Sequence, residues 1–126
     1  MADVIDASAL LALIWSENGC DLVESSLGNC EISSVNLCEV FTKMADRNVD
    51  LEQAKSLIES LEIIVTEFGA EQAFVAAIMR NKTRSHGLSF GDRACLSLAK
   101  MRGTRAITAD KIWAKLDLGI EISVIR

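Results

Sequence analysis

Short apolar runs alternate with stretches of helical periodicity along the whole chain. The predicted strands are residues 2–5, 30–34, 61–65, 105–108 and 120–125. The predicted helices are residues 7–15, 20–27, 35–46, 51–60, 69–84, a segment from about Asp92 to about Gly103, and 109–116. Strands that alternate with helices in this way predict an α/β fold with a central, mostly parallel sheet of about five strands and helices on both faces.

Apolar spacing within the helices predicts which residues face the core. The predicted core positions are Val35, Cys38, Phe41 and Ala45 on helix 35–46, then Ala70, Phe74, Ala77 and Ile78 on helix 69–84, and Ala94, Cys95, Leu98, Ala99 and Met101 on the helix after Asp92. Cys38 and Cys95 are therefore expected to be small core residues. Asp50 is predicted to cap the helix that follows it.

The length of 126 residues predicts one domain, 1–126, with a self-supporting core. The apolar run 9–15 is too short to cross a membrane, and no basic segment precedes it, so we expect a cytoplasmic protein without a signal peptide. The four cysteines form no C-x-x-C pair, which argues against a zinc site. The net charge of −5 argues against a broad basic surface for nucleic acid, so a phosphate-bearing substrate would need bound cations or a local basic patch.

Four acidic residues occupy positions where a parallel sheet would bring side chains together. Asp6 directly follows the first strand, and Asp110 follows the fourth strand after one intervening residue. Asp92 begins the helix that leads back into that fourth strand, whereas Glu39 lies one turn inside helix 35–46 among apolar neighbours. Ligands of such sheets bind at the carboxyl ends of the strands, so we expect these acids to meet at that edge.

Each acid alone also has an ordinary structural explanation. An aspartate is a favoured helix cap, which applies to Asp6, Asp92 and Asp110, and Glu39 is either a solvated acid or the partner of Lys43 at i+4. Several carboxylates at one edge repel each other, and a divalent cation removes that cost. All-oxygen ligation suits Mg²⁺ or Mn²⁺.

The sequence resembles the PIN-domain ribonucleases, and most of all the VapC toxins of prokaryotic toxin–antitoxin pairs. The matching segments occur in the family's order and contain the four acids: VIDASALLAL, SSVNLCEV, LSFGDRACLSLA and AITADKIWAKL. The resemblance implies a three-layer α/β fold and a metal-dependent endoribonuclease that binds one or two Mg²⁺ or Mn²⁺ ions through Asp6, Glu39, Asp92 and Asp110. It also implies a small antitoxin partner, a homodimer, and a transfer, ribosomal or messenger RNA substrate.

Phosphodiester hydrolysis by this site would need an activated water and neutralised phosphate charge, both of which one or two metal ions supply. We expect Asp6, Glu39 and Asp92 to hold the principal ion and Asp110 either to complete the site or to help hold a second ion. The products are expected to carry a 5′-phosphate and a 3′-hydroxyl. Ser8 and Thr108 are predicted either to hydrogen-bond a carboxylate or a phosphate, or to cap helices. Arg93 either contacts the scissile phosphate or is an ordinary surface arginine.

The sequence allows two interpretations for each of two further features, a basic stretch and a pair of tryptophans. The basic stretch RNKTRSHG, residues 80–87, is either a phosphate-steering loop or a solvated helix end. Trp15 and Trp113 either stack on a base or pack in the core or an interface. The non-enzymatic alternative is a PIN-like module that binds RNA or protein without cutting it.

Overall fold

The structure, a computed structural model, describes residues 2–126. At its centre lies a sheet of five strands in the order β3-β2-β1-β4-β5, with every neighbouring pair parallel. The strands are β1 (Asp3–Ile5), β2 (Cys30–Ser33), β3 (Ile64–Thr66), β4 (Ala106–Thr108) and β5 (Ile122–Val124). The predicted α/β fold with a parallel sheet is confirmed.

In the part of the chain that the structure describes, seven α-helices connect and cover these strands. They are α1 (Ala7–Ile14), α2 (Cys20–Glu24), α3 (Ser34–Asp46), α4 (Leu51–Ser60), α5 (Ala70–Ile78), α6 (Arg80–Thr83) and α7 (Phe90–Arg102). Two short 3-10 helices, Arg84–His86 and Lys111–Lys115, complete the set. None of the helices within residues 2–126 is long and apolar enough to cross a membrane.

Two hydrophobic cores lie on opposite faces of the sheet and produce three layers. Successive side chains of a strand point to opposite faces, so Val4 and Ile5 of β1 belong to different cores. Ile5 packs in the core formed with α1 to α4, and Val4 packs in the core formed with α5 and α7, which also contains Trp113. Full burial of one such aliphatic side chain contributes about 1.5–3 kcal/mol, so the central strands are anchored from both sides.

The helix that carries Asp92 matches its prediction closely. Ser89 and Asp92 form a capping box at its start, and Gly103 ends it with a φ of 64°, which glycine adopts without a Cβ clash. Four of its five predicted core residues, Ala94, Cys95, Leu98 and Ala99, are fully buried, while Met101 is half-buried. Asp50 likewise caps α4, as its sequence position predicts.

The predicted core face of α3 is wrong in part. Cys38 is exposed rather than buried, and Ala45 is exposed as well. The face that meets the rest of the protein is instead formed by Asn36, Val40 and Met44. The apolar residues of this helix extend around more than half of its circumference, so hydrophobicity alone did not locate the buried side.

The predicted core face of α5 is also wrong. Phe74 and Ile78 are 70% and 61% exposed, and the buried positions are Gln72 and Ala76. The side chain of Gln72 is tolerated inside because its Nε2 donates a hydrogen bond to the carbonyl of Glu67 at 2.9 Å. A prediction from hydrophobic periodicity places a glutamine on the solvent side, so it assigned the opposite side of this helix to the core.

Several predicted boundaries also differ from the observed ones. The third strand begins at Ile64 rather than at residue 61, because the chain first turns at Glu62, which has a φ of 56°. The single predicted helix 69–84 is divided near Met79 into α5, α6 and a 3-10 turn. The predicted helix 109–116 is a 3-10 helix of five residues.

Candidate active site

The four acids predicted from the sequence lie together at the carboxyl edge of the sheet. Asp6 follows β1, Asp110 lies two residues after β4, Glu39 lies on α3 directly after β2, and Asp92 lies in the first turn of α7. All four line one cavity of about 220 Å³. The cavity is at the point where the strand order reverses, with β2 on one side of β1 and β4 on the other, which is where such sheets bind ligands.

Asp6 is the most buried of the acids, with only 4% of its surface exposed. Its Oδ1 accepts hydrogen bonds from Ser8 Oγ at 2.7 Å and from the backbone N–H of Ala9 at 2.8 Å, which caps α1. Its Oδ2 accepts a hydrogen bond from Thr108 Oγ1 at 2.6 Å. These three donors fix the carboxylate in one orientation at the floor of the cavity.

Burial and neighbouring charge raise the pKa values of two of the acids. Burial raises the pKa of Asp6 to about 6, the charge of Asp92 adds to this, and the three hydrogen bonds oppose it. The pKa of Glu39 is raised by burial and then by the charges of Asp92 and Asp6, while Lys43 acts in the opposite direction. The carboxylates therefore interact with one another across the cavity, as expected for a convergent acidic site.

Glu39 is held by packing rather than by hydrogen bonds. Its carboxylate makes no hydrogen bond or ion pair to any other residue within 2–126. It lies over Gly91, where an added Cβ would collide with the Glu39 carboxyl group. Residue 91 must therefore lack a side chain for Glu39 to reach the cavity beside Asp92.

Asp92 and Asp110 both cap helices, so the ordinary explanation of these residues is correct. Asp92 Oδ2 accepts from the backbone N–H of Ser89 at 2.9 Å, and Asp110 Oδ1 accepts from the N–H of Ile112 at 3.0 Å. Each cap uses one carboxylate oxygen, and the second oxygen of each accepts no hydrogen bond within the described part of the chain. Capping and a functional role are therefore compatible.

The residues of the cavity satisfy the donor chemistry of a hard divalent cation. Four carboxylates line it, and burial, with a further contribution from the neighbouring carboxylate charges, raises the pKa values of Asp6 and Glu39. No group of three or more His, Cys, Asp or Glu side chains within residues 2–126 has the geometry of a metal site as it stands. The four carboxylates therefore line one cavity without yet surrounding a single position for an ion.

The supporting residues predicted from the sequence take different positions. Ser8 and Thr108 both donate to the Asp6 carboxylate and so bind a carboxylate directly. Ser8 Oγ also accepts from the N–H of Ala109 at 2.9 Å, which ties the loop after β4 to α1. Arg93 does not line the cavity; its Nη1 donates to the carbonyl of Ala76 on α5 at 3.0 Å.

The two tryptophans and the basic stretch are separated in the structure. Trp113 is fully buried in the core, whereas Trp15 lines the cavity and lies under the guanidinium of Arg47, 3.5 Å from its ring centroid. Residues 80–87 form α6 and a 3-10 turn and do not line the cavity. The predicted steering role of that stretch has no support from its position.

Among the residues that line the cavity without a functional assignment from the sequence are Asn36, Lys43 and Arg126. Asn36 and Lys43 lie on α3, one turn before and one turn after Glu39, so helical periodicity around Glu39 would have placed them on its side of the helix. Arg126 has no such local signal, because only the fold brings it to the cavity, where its Nη1 lies 3.2 Å from Glu17 Oε1.

Solved structures with the same architecture include several toxin–antitoxin proteins. A chain from a toxin–antitoxin complex of Klebsiella pneumoniae has a TM-score of 0.76 at 17% identity, with 99% of this chain and 98% of that chain covered. A chain from VapBC2 of Rickettsia felis, bound to a fragment of promoter DNA, has a TM-score of 0.76 at 16% identity, with 98% of both chains covered. A chain from VapBC-5 of Mycobacterium tuberculosis has a TM-score of 0.66 at 20% identity, with 99% and 98% covered.

These identities are low, so the structural likeness by itself establishes only the fold. No curated protein matches the sequence. The family model described as the PIN domain matches residues 4–118, a segment that contains all four acids and most of the chain. On this match, together with the fold and the convergence of the four acids, the chain belongs to the PIN domain family.

Proposed function

We propose that this chain is a divalent-cation-dependent endoribonuclease and the toxin of a toxin–antitoxin pair. The observation that carries the proposal is the convergence of Asp6, Glu39, Asp92 and Asp110 on one cavity, although they come from four separate segments of the chain. Such a cluster is costly without a counter-charge, since the charges oppose ionisation of one another. A site that binds a cation recovers that cost when it is loaded.

The four carboxylates would hold the cation, with Asp6, Glu39 and Asp92 as principal ligands and Asp110 completing the site. When bound, Mg²⁺ or Mn²⁺ supplies Lewis-acid activation of the attacking water and neutralises charge on the phosphate. Ser8 and Thr108 keep Asp6 in position through the hydrogen bonds described above. Their proposed role is therefore to orient the Asp6 carboxylate, which would bind the cation, rather than to contact the RNA.

Glu39 is suited to accept the proton of the attacking water. Its carboxylate has no hydrogen-bond donor within residues 2–126 to compete for its lone pairs, and its pKa is raised by burial and by Asp92 and Asp6. As Glu39 takes that proton, the water oxygen would form a bond to phosphorus, the bond between phosphorus and the 3′-oxygen would break, and the leaving 3′-oxygen would take up a proton from solvent water. The products carry a 5′-phosphate and a 3′-hydroxyl.

Partners are proposed from the structural neighbours. The Klebsiella pneumoniae and Mycobacterium tuberculosis structures are of toxin–antitoxin proteins, and those of Rickettsia felis and Salmonella typhimurium are VapBC bound to DNA. We propose by analogy that this chain acts in the cytoplasm as a homodimer and is neutralised by a small antitoxin protein. The DNA in those structures belongs to their complexes and is not proposed as the substrate here.

The proposal is tested with purified protein, a mixture of cellular RNA, and added Mg²⁺ or Mn²⁺. We expect cleavage that a chelator abolishes and that Asp92→Asn lowers by about 100-fold or more, because a mutated ligand impairs both cation binding and charge stabilisation. Sequencing of the cut ends should reveal 5′-phosphates. Asp50→Asn is the matched control, because Asp50 also caps a helix but lies outside the cavity.

Full cleavage by Asp92→Asn protein would reject the assignment of the acids. Metal-dependent RNA binding without any cleavage by the parent protein would instead favour the non-enzymatic module. A loss of activity in Asp50→Asn as large as in Asp92→Asn would show that disturbed helix capping, and not the site, explains the effect.

A further inference from the structure

Asn36 is a buried polar residue of the cavity to which the proposed chemistry assigns no part. Only 1% of its surface is exposed, and it lies on α3 three residues before Glu39. A buried side-chain amide is costly unless its groups are paired, so an asparagine at such a position calls for an explanation.

The two ends of the Asn36 amide have different partners. Its Nδ2 donates a hydrogen bond to the carbonyl of Gly91 at 2.9 Å. This bond connects α3, which carries Glu39, to the first turn of α7, which carries Asp92. The bond also fixes the orientation of the amide, because the reversed amide would place Oδ1 against the Gly91 carbonyl oxygen.

Asn36 Oδ1, by contrast, has no hydrogen-bond partner in the described chain although it is almost completely buried. It belongs to a residue that lines the same cavity as the four acids. An unpaired buried acceptor of this kind destabilises the folded protein, because it has lost its hydrogen bonds to water without replacing them. A donor that enters the cavity with a ligand would remove that cost.

We propose that Asn36 is a further binding residue of the site, whose Oδ1 accepts a hydrogen bond from the hydration shell of the divalent cation. This inference rests on the proposed function. A neutral amide oxygen is suited to that task, since it adds an acceptor without adding a fifth negative charge to a cavity where charges already repel. The hydrogen bond to Gly91 holds the amide in one orientation on a residue that lines the cavity together with Glu39 and Asp92.

The test measures binding of Mn²⁺ alone to the full chain by isothermal titration calorimetry. We expect Asn36→Leu to weaken Mn²⁺ binding about ten-fold or more, as loss of an outer-shell partner commonly does. Gln72→Met is the matched control, because Gln72 is also buried, also donates one amide hydrogen bond, and also has an unpaired side-chain oxygen, but does not line the cavity. It should bind Mn²⁺ as the parent does.

A second variant, Asn36→Asp, retains the oxygen but loses the donor to Gly91. It should bind Mn²⁺ at least as tightly as the parent, and it decides the question if Asn36→Leu fails to fold. Parent-like binding by Asn36→Leu, equal weakening in Gln72→Met, or weakening in Asn36→Asp as large as in Asn36→Leu would each overturn the proposal. An absence of Mn²⁺ binding by the parent would instead overturn the proposed function itself.

Discussion

The residues of the site serve the fold and the proposed chemistry at once. Asp6, Asp92 and Asp110 each accept a backbone N–H at the start of a helix, and the first of these also accepts two hydroxyl hydrogen bonds. Capping stabilises by about 1 kcal/mol, whereas burial of the charged Asp6 opposes its ionisation. A carboxylate that the fold retains against such a cost is a mark of function.

This cost makes the stability of the metal-free protein depend on pH. The folded state raises the pKa of Asp6 from 3.8 to about 6, so between these values it holds a proton that the unfolded state has released. This difference in pKa contributes about 3 kcal/mol to the free energy of unfolding below about pH 4, and the contribution is lost as the pH rises to 6. The raised pKa of Glu39 acts in the same direction.

We expect Asp6→Asn to be more stable than the parent above pH 6 in the absence of metal, and to lose that advantage towards pH 4. Urea unfolding of both proteins across this range, in the presence of a chelator, provides the measurement. Asp50→Asn controls for the exchange of a capping aspartate, because Asp50 caps α4 outside the cavity. A difference between Asp6→Asn and parent that grows towards acid pH would contradict the prediction.

At the scale of elements, the order of strands and helices was predictable, and the buried faces of two helices were not. The strands differ sharply from the helices in periodicity, and Asp50, Ser89 and Gly103 mark helix ends through local chemistry that depends on neighbours in sequence. The buried face of a helix depends on partners that are distant in sequence. On α5, Gln72 is buried because it finds an acceptor in Glu67, which no hydrophobicity pattern reveals.

In the candidate site, too, features with a local sequence signal could be predicted, and features that depend on distant parts of the chain could not. Asp6, Asp92 and Asp110 were identifiable because each follows a strand or begins a helix, and all four acids, Glu39 included, lie in segments that resemble a known family. Arg126 was not, because only the completed fold brings it to the cavity. The sequence also did not predict that residue 91 must be a glycine, because this requirement arises where α7 contacts the Glu39 side chain of α3.

The packing of α3 against α7 predicts a specific effect of Gly91→Ala. The added Cβ collides only with the end of the flexible Glu39 side chain, so we expect the free energy of unfolding to change by no more than about 1 kcal/mol. Glu39 must turn out of the cavity, so the rise in melting temperature caused by saturating Mg²⁺ should be much smaller than in the parent. Thermal unfolding with and without Mg²⁺ measures both quantities.

Gly69→Ala is the matched control for this substitution. A Cβ at residue 69 meets no other atom within 4 Å, and no residue of the helix that follows it, α5, lines the cavity. Saturating Mg²⁺ should raise the melting temperature of Gly69→Ala by as much as it raises that of the parent. An undiminished Mg²⁺ effect in Gly91→Ala would mean that Glu39 takes no part in cation binding.

For the whole molecule, the net charge of −5 means that the proposed binding of RNA would depend on a few well-placed cations. Two basic residues, Lys43 and Arg126, line the cavity together with the four acids. The basic stretch 80–87 lies elsewhere, on α6 and the following turn. The fold, rather than the local density of basic residues, therefore determines which cations lie beside the proposed reaction centre.

The last prediction separates these two sets of cations. In an Asp92→Asn background, which prevents cleavage, Lys43→Ala should weaken binding of single-stranded RNA and lower the slope of log affinity against log salt by about 0.7, the value for one lost phosphate contact. Lys55→Ala is the control, since Lys55 is an exposed lysine outside the cavity. Fluorescence anisotropy at several salt concentrations measures both effects. If removal of Arg80, Lys82 and Arg84 lowers the slope while Lys43→Ala does not, RNA runs along α6 and the cavity rim has no part in holding it.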